Sequence, residues 1–183
     1  MLSFSQFIDE NSALALKMAT DAHAGQTRSG GDPYISHPVR VAAIIAKYKK
    51  SHKLDELISA AYLHDTVEDT NLTHDDLVRL FGGLIASLVK ELTSDPEKIA
   101  QLGKSQYLAN KMTHEMTGWA LIIKLADRLD NVKDIRTAKS PDWRLKYKIE
   151  TLFILDYLEK NRVLTGPQST LAKMIRAKVG ELG

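Results

Sequence analysis

Apolar residues recur at intervals of three or four along almost the whole chain, and this spacing constrains the fold more than any other feature. Runs that alternate apolar and polar residues, as a half-buried strand requires, are hard to find. The clearest helical repeats are Leu14, Met18 and Ala22; Val41, Ile44 and Ile45; Leu54, Leu57, Ile58 and Ala61; and Leu77, Leu80, Leu84 and Leu88. The pattern predicts an all-α fold, a helical bundle with about eight or more helices.

Capping residues, prolines and glycines mark where these helices begin and end. Ser36 precedes His37 and Pro38 and is the predicted N-cap of one helix. Thr73 and Asp76 have the spacing of a capping box, with Asp in place of Glu. Further helix starts or turns are predicted at residues 94–97, 29–33, 82–83 and 165–167. None of these segments is a long linker, so residues 1–183 are predicted to form a single domain.

Composition excludes several classes of protein. The chain has 183 residues and no cysteine, which excludes disulfides, thiolate metal sites and a cysteine nucleophile. Its 25 Lys and Arg residues nearly balance 23 Asp and Glu residues, so we expect neither nucleic acid nor a membrane as a partner. The first ten residues lack the basic start of a signal peptide, and no apolar run approaches the length of a membrane span. We therefore expect a cytoplasmic protein; its oligomeric state stays open.

Ionisable residues are concentrated where one apolar helix ends. His64 and Glu68 are four residues apart and would share a helix face, and Asp65 and Asp69 would share the neighbouring face. If the helix persists that far, the carboxylates lie at its C-terminal end, where the helix dipole favours cations. A bound cation would remove this conflict. The alternative interpretation is a solvated helix end with a neutral histidine.

Two other positions supply further metal-binding side chains. His37 lies at the start of an apolar helix, and Asp127 follows an apolar segment, where a buried carboxylate requires a cation or strong donors. Asp127 could form an ordinary structural ion pair with Arg128, or it could bind a metal ion in a functional site. Together His37, His64, Asp65 and Asp127 form a mixed nitrogen and oxygen set that suits six-coordinate Mn²⁺ or Fe²⁺ with open water positions.

Four blocks in this order resemble the HD-domain phosphohydrolase superfamily, and more narrowly the hydrolase domain of Rel/Spo-type enzymes that degrade the alarmones ppGpp and pppGpp. They read AHAGQTRSG at 22–30, PYISHPV at 33–39, LHDTVEDT at 63–70 and KLADRLDN at 124–131. The segment 141–157 is similar to stand-alone small alarmone hydrolases. The resemblance implies a single helical HD-type domain, and the chain has no room for a synthetase domain, so we expect an enzyme that only degrades its substrate.

The resemblance also implies roles for individual residues. One Mn²⁺ ion per chain would be held by His37, His64, Asp65 and Asp127, while Glu68 and Asp69 would be the catalytic carboxylates that activate the attacking water. The implied substrate contacts are Arg28 on the nucleobase, Asn131 near the ribose, Lys124 and Arg128 within their motif, Ser29 where many relatives carry a lysine, and Lys104, Lys146 and Tyr147 at the rim. Asp130 stands where bifunctional members often have histidine, and we assign it no role.

The implied reaction is removal of the 3′-diphosphate of ppGpp or pppGpp as pyrophosphate. Two alternatives use the same site: hydrolysis of adenosine alarmones such as ppApp, and removal of the 2′-phosphate of NADPH. A third alternative is a helical protein that senses a nucleotide without turning it over. The presence of Glu68 and Asp69 argues against this last alternative, because a sensor has no need of both.

Overall fold

The computed structural model describes residues 10–182, apart from the side chains of residues 136–138. The segment 1–9, on which most of the argument against a signal peptide rests, lies outside this range. Within it the chain forms ten α-helices and one π-helical turn, which confirms the all-α prediction. The helices are α1 Glu10–Ala22, α2 Ser36–Tyr48, α3 Leu54–Leu63, α4 Thr66–Asp69, α5 His74–Leu92, α6 Pro96–Leu102, α7 Lys104–Asn110, α8 Gly118–Ala138, α9 Pro141–Asn161 and α10 Gly166–Gly180; the π-helical turn is Lys111–Glu115.

The chain divides into two compact units. Among the described residues, the first unit comprises 10–28 and 32–93, and the second comprises 29–31 and 94–182. The first unit therefore holds α1 to α5, and the second holds α6 to α10 with the π-helical turn. The single domain over residues 1–183 stays a prediction.

The first unit is built around α3, which packs against α1, α2 and α5. Residues 57–63 of α3 are all buried. The face that α1 buries consists of Ser12, Ala15 and Ala19, whereas Leu14, which belongs to the apolar repeat, is 39% exposed. Small side chains allow two helices to approach closely, so the hydrophobic repeat and the contact face need not coincide.

Most predicted helix boundaries are confirmed to within one residue. Thr73 and Asp76 form the predicted capping box at the start of α5. The start near residue 96 is also present, with Asp95 accepting hydrogen bonds from the next turn. Ser36 is not the N-cap of α2, because the helix begins at Ser36 itself after Ile35, and the Ser36 hydroxyl instead accepts a bond from Arg40.

The turn predicted at Gly82-Gly83 is a kink within α5 rather than an end. Gly82 has φ 78° and ψ 173°, which lies outside helical geometry, and the helix resumes and continues to Leu92. A positive φ is strained for residues with a Cβ atom, so glycine is the residue type that permits this kink.

The second unit is organised around the buried helix α8, whose strongest contacts are with α10, while α7 packs on α9. The π-helical turn ends against Arg162, whose guanidinium donates to the carbonyl oxygens of Met112, Thr113 and Met116. These bonds satisfy carbonyl groups that the end of a helix leaves without partners. No helix in the part of the chain that the structure describes is long and apolar enough to cross a membrane.

Candidate metal centre

The first group of predicted site residues lies at a break between two helices. Helix α3 ends at Leu63, and the four-residue helix α4 begins at Thr66, so the premise of one helix through residue 69 is wrong. Asp65 has φ −100° and ψ −5°, and the Thr66 hydroxyl donates to the Leu63 carbonyl oxygen at 2.8 Å. This side-chain bond competes with the helix hydrogen bonds and helps end α3 here. His64 and Asp65 therefore lie in the junction, and Glu68 and Asp69 lie on α4.

His37, His64 and Asp65, which we call the histidine half-site, form the core of this region. His64 Nδ1 lies 2.8 Å from the Ala61 carbonyl oxygen, which can only accept, so Nδ1 carries the proton in a neutral ring. His64 Nε2 then presents a lone pair toward Asp65 Oδ2 at 3.0 Å, and His37 Nε2 lies 3.7 Å from the same oxygen. Both imidazoles are buried, with 1% exposure.

This arrangement fits a divalent cation. A carboxylate oxygen and a neutral imidazole nitrogen are both acceptors, so their approach to 3.0 Å is favourable when a proton or a cation is shared between them. Imidazole nitrogen and carboxylate oxygen are common ligands for Mn²⁺ and Fe²⁺. The bond from His64 Nδ1 to a backbone carbonyl is the support that metal-binding histidines typically have, because it fixes both the tautomer and the ring orientation.

Tyr34 is a site residue to which the sequence analysis assigned no role. Its hydroxyl donates to Asp65 Oδ2 at 2.7 Å and to Asp69 Oδ2 at 3.0 Å. Burial, and then the two carboxylates, raise the pKa of Tyr34 far above its usual value, so the phenol remains protonated. The only sequence signal was its position three residues before His37 within a quoted block, because contacts across 31 and 35 residues have no local pattern.

Side chains from the segment before Tyr34 surround its ring. His23 stacks on Tyr34 with ring centroids 4.4 Å apart, and His23 Nδ1 lies 2.8 Å from Gln26 Oε1. Gln26 Nε2 donates to the main-chain carbonyl of Asp69 at 3.0 Å. The guanidinium of Arg28, a predicted nucleobase contact, lies 5.5 Å from the Tyr34 ring centroid in a cation–π contact. Residues 23–28 thus contact both the ring of Tyr34 and the backbone of α4.

In the second unit, Asp127 on α8 is buried and accepts two local hydrogen bonds. Lys124 Nζ lies 2.9 Å from Asp127 Oδ2, and Asn131 Nδ2 donates to Oδ1 at 2.6 Å. We call Asp127, Lys124 and Asn131 the aspartate half-site. Lys124, rather than the expected Arg128, is the cationic partner whose ammonium contacts this carboxylate. Residues three and four apart on a helix share a face, which explains both contacts.

Arg128 instead connects α8 to α9. Its guanidinium donates to the Thr151 hydroxyl at 2.8 Å and to Glu150 at 3.2 Å, and it lies 5.2 Å from the ring centroid of Tyr147. Tyr147, one of the predicted rim residues, is also stacked against Trp143, with ring centroids 5.3 Å apart. Two predicted substrate contacts, Arg128 and Tyr147, are therefore engaged with each other. Burial raises the pKa of Tyr147, so it is a neutral phenol in this contact.

The remaining predicted residues are mostly on the surface. Glu68 and Asp69 are exposed on α4. Lys104 begins α7, Lys146 lies on α9 and Ser29 lies in a turn; all three are exposed. Asp130 is almost completely buried, with 1% exposure.

Over most of its length the chain is similar to curated proteins. Over 146 residues the chain is 40% identical to the bifunctional (p)ppGpp synthase/hydrolase SpoT of Escherichia coli, which covers 76% of this chain and 20% of that protein. It is 36% identical over 154 residues to a GTP pyrophosphokinase of Brucella ovis, covering 80% of this chain and 20% of that protein. The chain thus spans about a fifth of the length of these curated relatives.

Two solved structures have the same fold. A metazoan ortholog of SpoT that hydrolyses ppGpp superposes with a TM-score of 0.73 at 25% identity, covering 96% of this chain and 95% of that one. A protein from Listeria monocytogenes superposes with a TM-score of 0.62 at 24% identity, covering 81% of this chain and 99% of that one. The HD-domain family model matches residues 15–162. The chain therefore belongs to the HD-domain family.

Proposed function

We propose that the chain is a metal-dependent hydrolase that removes the 3′-diphosphate of guanosine alarmones such as ppGpp and pppGpp as pyrophosphate. The observation that carries the proposal is the pair of acceptors, His64 Nε2 and Asp65 Oδ2, that face each other at 3.0 Å, next to a helix with two exposed carboxylates. The similarity to the E. coli (p)ppGpp synthase/hydrolase and to the ppGpp-hydrolysing metazoan ortholog supports this choice of substrate.

The proposed metal centre combines the two half-sites. His37, His64 and Asp65 from the first unit and Asp127 from the second would hold one Mn²⁺ ion per chain. The donor types of His37, His64 and Asp127 suit a metal ion, and all three side chains are buried. Mixed nitrogen and oxygen ligands without thiolates favour Mn²⁺ or Fe²⁺ over structural zinc.

In the proposed reaction, water attacks the phosphorus that is attached to the 3′ oxygen. When bound, the cation lowers the pKa of water and neutralises phosphate charge. Glu68 and Asp69 orient the water and accept its proton, since both are exposed carboxylates on α4, the helix that follows the histidine half-site. The bond from phosphorus to the 3′ oxygen breaks, this oxygen takes a proton, and the products are pyrophosphate and a 5′-phosphorylated nucleoside with a free 3′-hydroxyl.

The proposed substrate contacts differ in how well the geometry supports them. Lys104 and Lys146 are exposed ammonium groups that suit phosphate binding. Arg28 lies over Tyr34, which places its guanidinium plane near an aromatic ring. Arg128 and Tyr147 contact each other, and for them the structure supports a role in holding α9 against α8 more strongly. Ser29, Lys124 and Asn131 complete the set. A small nucleotide is the proposed partner, without nucleic acid or membrane, in the cytoplasm.

Product analysis tests the proposed function. The purified chain is incubated with ppGpp, ppApp and NADPH, each with and without Mn²⁺, and the released phosphate species are identified. We expect Mn²⁺-dependent release of pyrophosphate from ppGpp. Pyrophosphate from ppApp alone, or orthophosphate from NADPH alone, would replace the proposed substrate with one of the two alternatives. Binding of ppGpp without release of any product would contradict the assignment as an enzyme.

A further inference from the structure

We propose that Tyr34 is a positioning residue whose single hydroxyl group holds the carboxylates of Asp65 and Asp69 in a fixed relation to each other. The inference rests on the proposed function, in which Asp65 binds the metal ion and Asp69 helps to activate water. Tyr34 would act through these two side chains and would not itself react with the substrate.

The geometry of the hydroxyl carries the argument. Tyr34 Oη lies 2.7 Å from Asp65 Oδ2 and 3.0 Å from Asp69 Oδ2, so one atom bridges a proposed metal ligand and a proposed base. A tyrosine has one O–H donor, which the two carboxylates share. Two ionised carboxylates this close repel each other, and a donor between them offsets part of that repulsion. Without the hydroxyl, we expect the two carboxylates to move apart.

The ring that carries this hydroxyl is itself held in place. His23 stacks on one face of Tyr34 at 4.4 Å, and His37 meets its edge with ring centroids 6.3 Å apart. Gln26 connects His23 to Asp69, because its side-chain amide contacts His23 Nδ1 and donates to the Asp69 carbonyl oxygen. Asp69 is therefore held at two points, its carboxylate by Tyr34 and its main chain by Gln26.

The position of Asp69 requires such support. Helix α4 has only four residues, and both Glu68 and Asp69 are exposed, so α4 buries little apolar surface that could fix its orientation. Catalytic groups lose effectiveness when they are displaced by about 1 Å, so the hydrogen bonds that hold them in position matter for catalysis. The bonds from Tyr34 and Gln26 connect α4 to a segment more than 30 residues away in the sequence.

The central variant is Tyr34→Phe, which removes the hydroxyl and keeps the ring between His23 and His37. The matched control is Tyr62→Phe, which removes a hydroxyl from a buried tyrosine of the same unit. Thermal unfolding establishes that each variant is folded, titration calorimetry gives the Kd for Mn²⁺, and steady-state kinetics at saturating Mn²⁺ give kcat and KM for ppGpp.

We expect Tyr34→Phe to weaken Mn²⁺ binding and to lower kcat, each by roughly 10-fold to 100-fold, which is typical for groups that support metal ligands. KM for ppGpp should stay within about twofold, because a positioning residue does not contribute to substrate binding in the ground state. Tyr62→Phe should leave both the Mn²⁺ Kd and kcat close to wild type. An unchanged Mn²⁺ Kd in Tyr34→Phe would overturn the link to Asp65, and an unchanged kcat would overturn the link to Asp69.

A second variant, Gln26→Ala, keeps the proposal testable if Tyr34→Phe does not fold. It releases the main chain of Asp69 but leaves the contact between Tyr34 and Asp65, so kcat should fall severalfold while the Mn²⁺ Kd stays unchanged. A weakened Mn²⁺ Kd with full kcat would contradict this assignment. If the wild-type chain does not hydrolyse ppGpp, the proposed function fails, whereas the Mn²⁺ Kd of Tyr34→Phe still tests the link between Tyr34 and Asp65.

Discussion

The two half-sites differ in what surrounds their carboxylates. In the histidine half-site, Asp65 Oδ2 accepts a hydrogen bond from the Tyr34 hydroxyl and also faces two imidazole nitrogens at 3.0 and 3.7 Å, an arrangement that a cation would stabilise. In the aspartate half-site, Asp127 is already compensated, because Lys124 and Asn131 both donate to it. A metal ion at Asp127 would thus compete with an ammonium for the same carboxylate, while at Asp65 it would relieve repulsion.

The half-sites also differ in how the chain assembles them. Asp127, Lys124 and Asn131 lie within about two turns of α8, so local helix geometry brings them together. The histidine half-site combines His37 of α2 with the junction after α3, about 30 residues further along the chain, and Tyr34, just before α2, contacts Asp65 in that junction. This difference means that a local change in α8 should affect few contacts, whereas a change near Asp65 should affect several segments at once.

Removal of the metal ion should have the largest effect, because it removes what both half-sites are proposed to share. Treatment with a chelator should lower the turnover of ppGpp by about 1,000-fold or more, since a metal ion contributes several kcal/mol to such reactions. Addition of Mn²⁺ should restore the turnover. Full turnover by protein shown to be free of metal would contradict a common role for the two half-sites.

Replacement of Glu68 should separate metal binding from catalysis within the first unit. Glu68→Ala should keep the wild-type Kd for Mn²⁺ and lower kcat by about 100-fold to 10,000-fold, the range for loss of a general base. Asp75→Ala, an exposed acid in the first turn of α5, is the control and should leave kcat unchanged. Wild-type turnover of Glu68→Ala would remove Glu68 from the mechanism.

The buried ion pair beside the aspartate half-site should affect stability rather than metal binding. Glu150→Gln leaves Arg128 buried without its carboxylate partner, which should lower the free energy of unfolding by about 3 kcal/mol. In a chain of this size that corresponds to a fall in Tm of roughly 6–12 °C. The Kd for Mn²⁺ should not change.

Glu159→Gln on the same helix is the control for this effect, because its partner Arg176 lies near the surface. Loss of the ion pair between Glu159 and Arg176 should lower the free energy of unfolding by less than about 1 kcal/mol, as is typical for exposed ion pairs. Equal losses of stability in the two variants would show that Arg128 does not depend on Glu150, and a weakened Mn²⁺ Kd in Glu150→Gln would connect this ion pair to the metal centre.

The smallest effect is expected from the capping box of α5, which lies in the first unit but outside the histidine half-site. Thr73→Ala should lower the free energy of unfolding by about 1 kcal/mol without a change in the Mn²⁺ Kd. Thr170→Ala is the control, because the Thr170 hydroxyl donates to a carbonyl oxygen within α10 and caps nothing. A loss of Mn²⁺ affinity in Thr73→Ala would show that the half-site depends on distant parts of its unit.

The capping box also gives a dependence on pH. Hydrogen bonds from Thr73 to the Asp76 carboxylate, and then the charge of Arg79, lower the pKa of Asp76. The folded state therefore binds this proton less readily than the unfolded state, so the stabilisation is present above a pH of about 4 and is lost as the pH falls further. The stability difference between wild type and Thr73→Ala, measured by denaturant unfolding, should become smaller below this pH. A constant difference from pH 7 to pH 3 would contradict a contribution from ionised Asp76.

The contrast between the half-sites explains what the sequence could and could not predict. The pair Asp127 and Asn131 was predictable because its spacing of four residues directly implies a shared helix face. The partners of Asp127 and Arg128 were not, because neighbouring charges on a helix point in different directions, and only the packing of α9 decides that Arg128 reaches Glu150. The role of Tyr34 was not predictable either, since its contacts join positions that no periodic pattern relates.

The fold likewise has features that the sequence predicts and features that it does not. Helical periodicity and capping residues predicted an all-α chain and most helix starts correctly, because both depend on local geometry. The buried face of α1 and the break between α3 and α4 were missed, because the first depends on close packing of small residues and the second on a hydroxyl group that bonds to the Leu63 carbonyl oxygen. The assignment of His37, His64, Asp65 and Asp127 to one metal ion stays a prediction.

A titration with Mn²⁺ of two variants, one from each half-site, tests this central claim most directly. The wild-type chain should bind one ion, and both His64→Ala and Asp127→Ala should lose this binding, each by more than the roughly 100-fold that loss of a supporting group can cause. The exposed residues His52 and Asp142 provide the controls, since alanine at either position should leave the Kd unchanged. Wild-type affinity in either His64→Ala or Asp127→Ala would contradict a metal centre that the two half-sites share.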